Sequence, residues 1–226
     1  MNEHEFTLSI RARAMLEGPL ESAPSPAPLV IAMHGYAESG EAMREFTRRA
    51  AGSGRVIACP NAPFQFYRNL APGQSGTLAF SWLTRHDRAG GVAANRDYLD
   101  QLVAFAIQRY AVDPKRITLL GYSQSASLTY TLGFTAPYRY AGAVVLAGGV
   151  FPDYSRHLVQ ADAGPRAMLV AHGREDTWVP LAKSEESVHW LTQRGKAVTW
   201  SALPGGHERT DAMADVTRHW LDHHDL

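Results

Sequence analysis

Three residues of this chain have types and an order suited to covalent acyl transfer. They are Ser123, Asp176 and His207, and Ser123 lies in the segment Gly-Tyr-Ser-Gln-Ser at 121–125. A serine hydroxyl attacks a carbonyl carbon when a histidine removes its proton and a carboxylate orients that histidine. The order serine, acid, histidine is typical of chains in which the serine lies at a sharp turn between a strand and a helix. The three residues therefore predict hydrolysis through an acyl intermediate on Ser123.

The segment around Ser123 has the context that such a turn requires. Residues 117–120 form an apolar run typical of a buried strand, and residues 124–134 are typical of a helix. Small residues are needed on both sides of the serine, because the strand and helix backbones nearly touch there. Gly121 meets that need, whereas Ser125 replaces the second glycine of the usual Gly-x-Ser-x-Gly pattern. We expect the turn to close, with Ser125 either fitting the turn or reshaping the acyl pocket.

Asp176 and His207 each follow a predicted strand. The strand at 167–171 ends shortly before Asp176, and the strand at 198–203 leads into Pro-Gly-Gly and then His207. In parallel α/β sheets, ligands bind and catalytic residues lie just beyond the carboxyl ends of the strands. We therefore expect His207 to accept the Ser123 proton and Asp176 to fix the imidazole tautomer.

Other acids and histidines have plainer interpretations. Glu175 is the main rival to Asp176, since it lies in the same loop. His219 and His223 have the i, i+4 spacing that can hold a metal, but without an HExxH frame a solvated helix face is the better interpretation. The predicted chemistry needs no metal and no other cofactor. The weaker candidate acids are Asp153 and Asp162, and the histidines expected to be hydrogen-bonded beneath the site are His34 and His172.

Acyl transfer also needs N–H donors directed at the developing oxyanion. One is the backbone amide of Gln124, the residue after the nucleophile. The second is expected from the loop at 34–40, which follows the first buried strand. Within that loop Gly35 allows the backbone to bend, and Tyr36 N–H is the predicted donor.

Apolar runs alternate with helical segments along most of the chain, which predicts a mostly parallel, doubly wound α/β sheet with helices on both faces. Residues 6–14 alternate between apolar and polar types and predict a half-buried edge strand, and residues 17–28, with four prolines, predict a loop. Residues 1–226 fit a single domain. The other predicted strands are 29–33, 55–59, 117–120, 143–147, 167–171 and 198–203, and the predicted helices are 40–51, 92–110, 124–134, 181–194 and 211–221.

Bulk properties narrow the class of protein. Lys plus Arg and Asp plus Glu both number 22, so no broad field favours nucleic acid or anionic lipid. The apolar stretch at 141–151 is too short to span a bilayer, and the first ten residues lack the pattern of a secretory signal. Cys59 is the single cysteine and cannot form an intrachain disulfide. We expect a cytoplasmic protein without stable membrane insertion or nucleic-acid binding, as a monomer or homodimer.

Several segments together resemble the phospholipase/carboxylesterase family, which includes bacterial carboxylesterases and acyl-protein thioesterases. They run in the family's order from about residue 29 to 210. At the turn that carries Ser123, called the nucleophile elbow, Ser125 and Ala126 replace the last two glycines of the family's G-F-S-Q-G-G. The resemblance implies an α/β-hydrolase fold, and we expect that 226 residues leave little length for a large lid domain. It also implies cofactor-free esterase or thioesterase activity, with Ser123, Asp176 and His207 as triad and Tyr36 and Gln124 as oxyanion donors. The matching segments are MHGYAESG (33–40), CPNAP (59–63), SWL (81–83), ITLLGYSQSA (117–126), HGREDTWVP (172–180) and PGGHE (204–208).

Ester and thioester pockets are mostly apolar, and the candidate wall residues are Phe64, Phe66, Phe151 and Trp178. The favoured substrate is a small-molecule ester, or a thioester, with a small to medium acyl group. One alternative is a dienelactone-hydrolase-like enzyme or a peptidase on the same fold, although the former would carry cysteine at the elbow. Another is a binding module that kept the fold and lost activity, for which Ser125 is the only sequence support.

Overall fold

A computed structural model describes residues 4, 9–19, 26–69, 73, 75–135, 140–150 and 164–226. Within them, seven strands form one sheet and two strands form a separate hairpin. The strands are β1 (Ala14–Glu17), β2 (Ala27–Met33), β3 (Val56–Pro60), β4 (Phe64–Arg68), β5 (Thr77–Ser81), β6 (Val112–Tyr122), β7 (Gly142–Leu146), β8 (Ala167–Gly173) and β9 (Val198–Leu203). The helices are α1 (Gly40–Ala51), α2 (Arg88–Tyr110), α3 (Gln124–Thr135), α4 (Leu181–Thr192) and α5 (Asp211–His223).

The large sheet has the order β1-β3-β2-β6-β7-β8-β9. All its pairs are parallel except β1 with β3. The inner strands β2, β3, β7 and β8 are buried along their whole length, because α1 and α5 pack on one face of the sheet and α2, α3 and α4 on the other. This arrangement confirms the predicted doubly wound α/β fold and explains why its strands read as continuous apolar runs.

The N-terminal edge strand was predicted in the wrong place. The strand observed is Ala14–Glu17, whereas the described residues at 9–13 lie outside any strand and residues 6–8 lie outside the described part. Just before β1, Arg13 O accepts hydrogen bonds from Asn61 N and from the Tyr98 hydroxyl. Glu17 was assigned to the following loop but ends the strand, held there by two arginines of α1.

The β4–β5 hairpin was missed, because the segment at 61–82 was interpreted as rich in loops. The two strands pair antiparallel, with Phe64 opposite Ser81 and Phe66 opposite Ala79. The alternation of Phe64 and Phe66 with polar Gln65 is the signal that could have predicted this strand. The hairpin matters for the site, since it carries both predicted pocket phenylalanines. No described helix is both long and apolar enough to cross a bilayer.

Cys59 lies on β3 against α1. Its side chain is buried, and its Sγ lies 3.7 Å from Thr47 Oγ1. Burial raises the pKa of the thiol to about 11, so the thiol stays protonated at neutral pH and is a poor nucleophile.

Glu17 ties β1 to α1 and provides a test of the fold. Its carboxylate accepts hydrogen bonds from Arg44 Nε and, at 2.7 Å, from Arg48 Nε. Burial raises the pKa of Glu17, but the hydrogen bonds from Arg48 and Arg44 lower it by more, so the pKa lies below its ordinary value. Glu17→Gln is therefore expected to lower Tm at neutral pH by about 2–4 °C, measured by calorimetry.

The pH dependence has a defined sign. A carboxyl group with a lowered pKa adds stability above its unfolded-state pKa and loses it as the pH falls through the folded-state value. The Tm difference between wild type and Glu17→Gln should therefore shrink in acid. Glu45→Gln is the control, since the Glu45 side chain is 90 % exposed and lies 3.6 Å from Arg48. A difference that persisted at acid pH would contradict the assignment to this ion pair.

Candidate active site

Ser123 lies at the turn between the end of β6 and the start of α3. Its backbone has a φ of 56°, in the left-handed region that a non-glycine residue adopts only under local constraint. The Ser123 amide donates to Leu146 O on the neighbouring strand at 3.0 Å. This geometry holds the hydroxyl above the sheet edge, where Ser123 Oγ lies 2.8 Å from His207 Nε2.

Close backbone packing at the turn explains the glycine before Ser123. A Cβ atom at Gly121 would lie 2.2 Å from Thr129 Oγ1 and 2.5 Å from Ser125 O, distances that no side chain tolerates. A similar contact accommodates Ala126: a Cβ at Gly148, just after β7, would lie 2.4 Å from the Ala126 Cβ. The methyl group of Ala126 therefore fits because residue 148 is glycine.

Ser125 fits the turn and does not line the acyl pocket. The residue has no exposed surface. Its Oγ accepts a hydrogen bond from Tyr122 N at 2.9 Å and donates to Met33 O at 2.7 Å. The hydroxyl thus joins the ends of β6 and β2 directly beneath the turn, which decides between the two roles that the sequence left open for this residue.

Removing this hydroxyl has a measurable expected cost. Ser125→Ala leaves a buried amide and a buried carbonyl group without their partner, which should lower the free energy of unfolding by about 1–3 kcal/mol. Urea denaturation of the variant and of Ser53→Ala, a change at an exposed serine, measures the difference. If Ser125→Ala were as stable as the wild type, the hydroxyl would not hold the two strand ends together.

Asp176 is buried in the loop after β8 and receives hydrogen bonds on both carboxylate oxygens. Oδ2 lies 2.7 Å from His207 Nδ1, and Oδ1 accepts from the amides of Trp178 and Val179, each at 2.9 Å. Burial raises the pKa of Asp176, but the hydrogen bonds from His207 and the two amides outweigh it, so the pKa lies below its ordinary value. The carboxylate is therefore ionised at neutral pH and can accept a hydrogen bond from His207 Nδ1–H, which leaves Nε2 to accept the proton of Ser123.

The same carboxylate contacts a second histidine, a contact that the sequence analysis missed. His172 Nε2 lies 3.0 Å from Asp176 Oδ2, and its Nδ1 lies 2.6 Å from Ser184 Oγ. Ser184 in turn donates to Gly148 O at 2.8 Å. His172 therefore joins the acid loop to α4 and to the end of β7. The i, i+4 spacing of His172 and Asp176 at one strand end could have indicated the contact.

The rival acid lies elsewhere. Glu175 is exposed, and its carboxylate accepts a hydrogen bond from Gly205 N in the loop that carries His207. The structure thus brings Asp176 to the imidazole and places Glu175 as a tether between the two loops. Of the other histidines, His219 and His223 are exposed on α5, and the described residues contain no group of three or more side chains placed to hold a metal ion.

Two aromatic rings flank the His207 imidazole. Trp178 lies nearly parallel to it, with ring centroids 6.0 Å apart and an interplanar angle of 11°, and remains 82 % exposed. Tyr122 lies on another side at 5.4 Å, and its hydroxyl donates to His207 O. The loop ends where the Thr210 side chain accepts from Met213 N at 3.2 Å and caps α5. These contacts hold His207 through its ring and through its backbone carbonyl group.

Tyr36 and Gln124, the predicted oxyanion donors, lie on the loop after β2 and at the first residue of α3. Among the described residues, none accepts a hydrogen bond from either backbone amide. The two N–H groups are therefore available to a ligand. The Gln124 side chain points away toward β5, where its Oε1 accepts from Trp82 N at 2.9 Å and its Nε2 donates to Ser81 Oγ at 2.9 Å.

His34 is the first residue of the loop at 34–40, which carries Tyr36 and which we call the oxyanion loop. It is buried, and burial lowers its pKa to about 4, so the ring is neutral at neutral pH. Its Nε2 accepts from Ala62 N at 3.1 Å, which places the ring proton on Nδ1, 2.6 Å from Gly35 O. This is the structural role that the sequence predicted for His34.

An ion pair joins the oxyanion loop to the loop at 204–210, which carries His207 and which we call the histidine loop. Arg209 Nη1 donates to Glu38 Oε2 at 2.7 Å and to Oε1 at 2.9 Å, and Glu38 Oε2 also accepts from Gly35 N at 2.9 Å. The guanidinium lies 4.5 Å from the centre of the Tyr122 ring. Nothing in the sequence pattern indicated this pair, which fixes the two loops on either side of Ser123 relative to each other.

Two cavities meet the site. The larger, of about 1340 Å³, is lined by Tyr36, Phe64, Phe66 and Gln124, and the Tyr36 and Phe66 rings stack at 5.3 Å. The smaller, of about 650 Å³, is lined by Trp178 and His207. Three of the four predicted pocket residues thus line a cavity, and the fourth, Phe151, lies outside the described residues.

Two curated proteins are similar in sequence to this chain. Poly(3-hydroxyalkanoate) depolymerase C of Paucimonas lemoignei is 28 % identical over 196 residues, which cover 75 % of this chain and only 45 % of that protein. Acyl-protein thioesterase 1 of Gibberella zeae is 24 % identical over 208 residues, covering 85 % of this chain and 88 % of that one.

The crystal structure of the Bacillus cereus carboxylesterase superposes with a TM-score of 0.71 at 19 % identity and covers 94 % of both chains, which shows a shared fold. The family model described as Phospholipase/Carboxylesterase matches residues 20–224. The chain therefore belongs to the phospholipase/carboxylesterase family of ester and thioester hydrolases, with the α/β-hydrolase fold.

Proposed function

We propose that this protein is a serine carboxylesterase that hydrolyses esters with small to medium acyl groups, and thioesters as a second class, through an acyl-enzyme on Ser123. The observation that carries the proposal is the continuous hydrogen-bonded path from Ser123 Oγ through His207 to Asp176, with steps of 2.8 and 2.7 Å. The lowered pKa of Asp176 keeps its carboxylate ionised at neutral pH, which is the form that orients the imidazole for nucleophilic attack.

The proposed reaction has two halves. In the first, Ser123 Oγ attacks the carbonyl carbon while its proton passes to His207 Nε2, and the amides of Tyr36 and Gln124 stabilise the oxyanion. His207 then gives this proton to the departing alcohol or thiol, leaving the acyl group on Ser123. In the second half, a water molecule attacks the acyl carbon with His207 again as base, and the acid product leaves. Asp176 stays ionised throughout and stabilises the imidazolium.

The proposed mechanism also requires the two parts of the substrate to lie on opposite sides of Ser123. His207 must protonate the leaving group, so the alcohol or thiol has to lie on the His207 side, at the smaller cavity lined by Trp178. The larger cavity, with Tyr36, Phe64 and Phe66, then holds the acyl group. Its partly apolar wall suits a short hydrocarbon chain.

Two of the three alternatives lose their support. A dienelactone-hydrolase-like enzyme would need a cysteine nucleophile, whereas Cys59 is buried on β3 with a raised pKa. The hypothesis of an inactive binding module depended on Ser125 alone, and that residue is a buried part of the turn. A peptidase on the same fold would use the same three residues, so cleavage of amide substrates has to be assayed beside esters.

Covalent labelling tests the proposal directly. A fluorophosphonate should form one adduct in the folded protein, located on Ser123 by peptide mass spectrometry and lost in Ser123→Ala. Ser127→Ala, which changes a serine in the first turn of α3, should keep the adduct. Labelling at another residue, or none in protein shown by circular dichroism to be folded, would overturn the proposed nucleophile.

The remaining predictions concern the cofactor requirement, the oligomeric state and the cellular location of the enzyme. We propose that it acts without a cofactor, as a monomer or homodimer in the cytoplasm. Gel filtration with light scattering tests the oligomeric state, and cell fractionation with an antibody tests the location.

A further inference from the structure

The larger cavity has an unusual charge balance for an acyl pocket. Arg11, Arg85 and Arg88 line it, and none of the described lining residues is acidic. The chain as a whole has a formal net charge of zero, so this cavity concentrates positive charge that the rest of the surface balances elsewhere. Cavities of one sign attract ligands of the opposite sign.

Two of these guanidinium groups have no partner within the described part of the chain. Arg11 and Arg85 make no hydrogen bond or ion pair there, and both are exposed at the cavity. Structural arginines of this protein behave differently: Arg48 and Arg209, for example, each bind a glutamate carboxylate. The donors of Arg11 and Arg85 are thus available to a ligand in the cavity.

The position of the arginines relative to the reacting atoms determines which part of a substrate they meet. The same cavity is lined by Tyr36 and Gln124, the proposed oxyanion donors, and by the apolar side chains of Phe64 and Leu83. His207 lines the other cavity. An acyl group on Ser123 would therefore extend along an apolar wall toward the arginines, while the leaving group departs on the opposite side.

We propose that the preferred acyl group ends in a carboxylate, so that the substrate is a half-ester or half-thioester of a dicarboxylic acid. The methylene chain packs on Phe64 and Leu83, and the terminal carboxylate binds the guanidinium groups of Arg11 and Arg85. A planar guanidinium matches a carboxylate in shape and charge and pairs with it more strongly than with a neutral group. This inference rests on the proposed function, because it assigns the acyl side from the role of His207.

A pair of isosteric esters tests the proposal. The p-nitrophenyl monoester of adipic acid carries a terminal carboxylate, and the p-nitrophenyl ester of adipic acid monoamide replaces it with a neutral amide of the same size. In wild type, kcat/KM for the carboxylate ester should exceed that for the amide ester by about ten- to a hundredfold. The ratio should fall as sodium chloride is raised, since exposed charges are screened.

Variants locate the effect. Arg11→Gln and Arg85→Gln should each reduce the ratio, and the double variant should bring it close to one. Arg109→Gln, at an exposed position at the other end of α2 and outside both cavities, should keep the wild-type ratio. Equal kcat/KM for the two esters in wild type, or a ratio that survives in the double variant, would overturn the proposal while leaving the esterase intact. If neither ester is hydrolysed and Ser123 takes no fluorophosphonate, the proposed function fails first, and this inference fails with it.

Discussion

Ser123→Ala and His207→Ala are each expected to lower kcat for ester hydrolysis by about 10⁶-fold, and the double variant should be no slower than either single variant. The reason is that the two residues act as one unit. Without His207 the hydroxyl keeps its proton, and without Ser123 the base has no nucleophile to activate, so the second substitution removes nothing further. Residual activity over water would come from the oxyanion donors and from binding.

Steady-state turnover of a p-nitrophenyl ester measures these effects, with each variant repurified to exclude contaminating wild type. His219→Ala is the matched control, because it changes an exposed histidine on α5 and should leave kcat within about twofold of wild type. Additive losses in the double variant would mean that Ser123 and His207 act independently, contrary to the hydrogen bond between them.

Asp176→Asn should lower kcat by about 10⁴-fold. An asparagine can direct its amide N–H at His207 Nδ1, which would place the ring proton on Nε2, facing Ser123. The imidazole could then no longer accept the hydroxyl proton, although its position would barely change. The loss should appear in kcat more than in KM, since binding of the ground-state ester does not depend on the tautomer.

Glu175→Gln is the matched control for Asp176→Asn, as it changes the adjacent acid in the same loop. Its carboxylate is exposed and bonded to Gly205 N, so we expect kcat within about tenfold of wild type. A larger loss from Glu175→Gln than from Asp176→Asn would reverse the assignment of the acid.

Much of the fold follows from local patterns. Apolar runs without alternation gave the buried parallel strands, because both faces of those strands are covered by helices. The predicted helix at 40–51 has the observed bounds, and three others differ by only one or two residues at their C-terminal ends. The exception is α2, which begins at Arg88, four residues before the predicted start at Val92. Ser123, Asp176 and His207 could be placed together because each follows a strand of one parallel sheet, and the carboxyl ends of such strands share an edge.

Other features depend on contacts that no local pattern encodes. The pair of Glu38 with Arg209 joins residues that are 171 positions apart in the chain. The role of Ser125 became clear only from its hydrogen bond to Met33 O on β2, which is distant in the sequence. In each case the partner is chosen by the packing of strands and loops in three dimensions.

The buried state of Cys59 has a consequence for experiments on the active site. Since it is the only cysteine of the chain and its pKa is raised to about 11, the native protein offers alkylating reagents almost no reactive thiolate. A Ser123→Cys enzyme would therefore carry a single reactive sulfur, located beside His207. The rate of its alkylation by iodoacetamide as a function of pH would report the formation of the thiolate at that one position, without subtraction of any background.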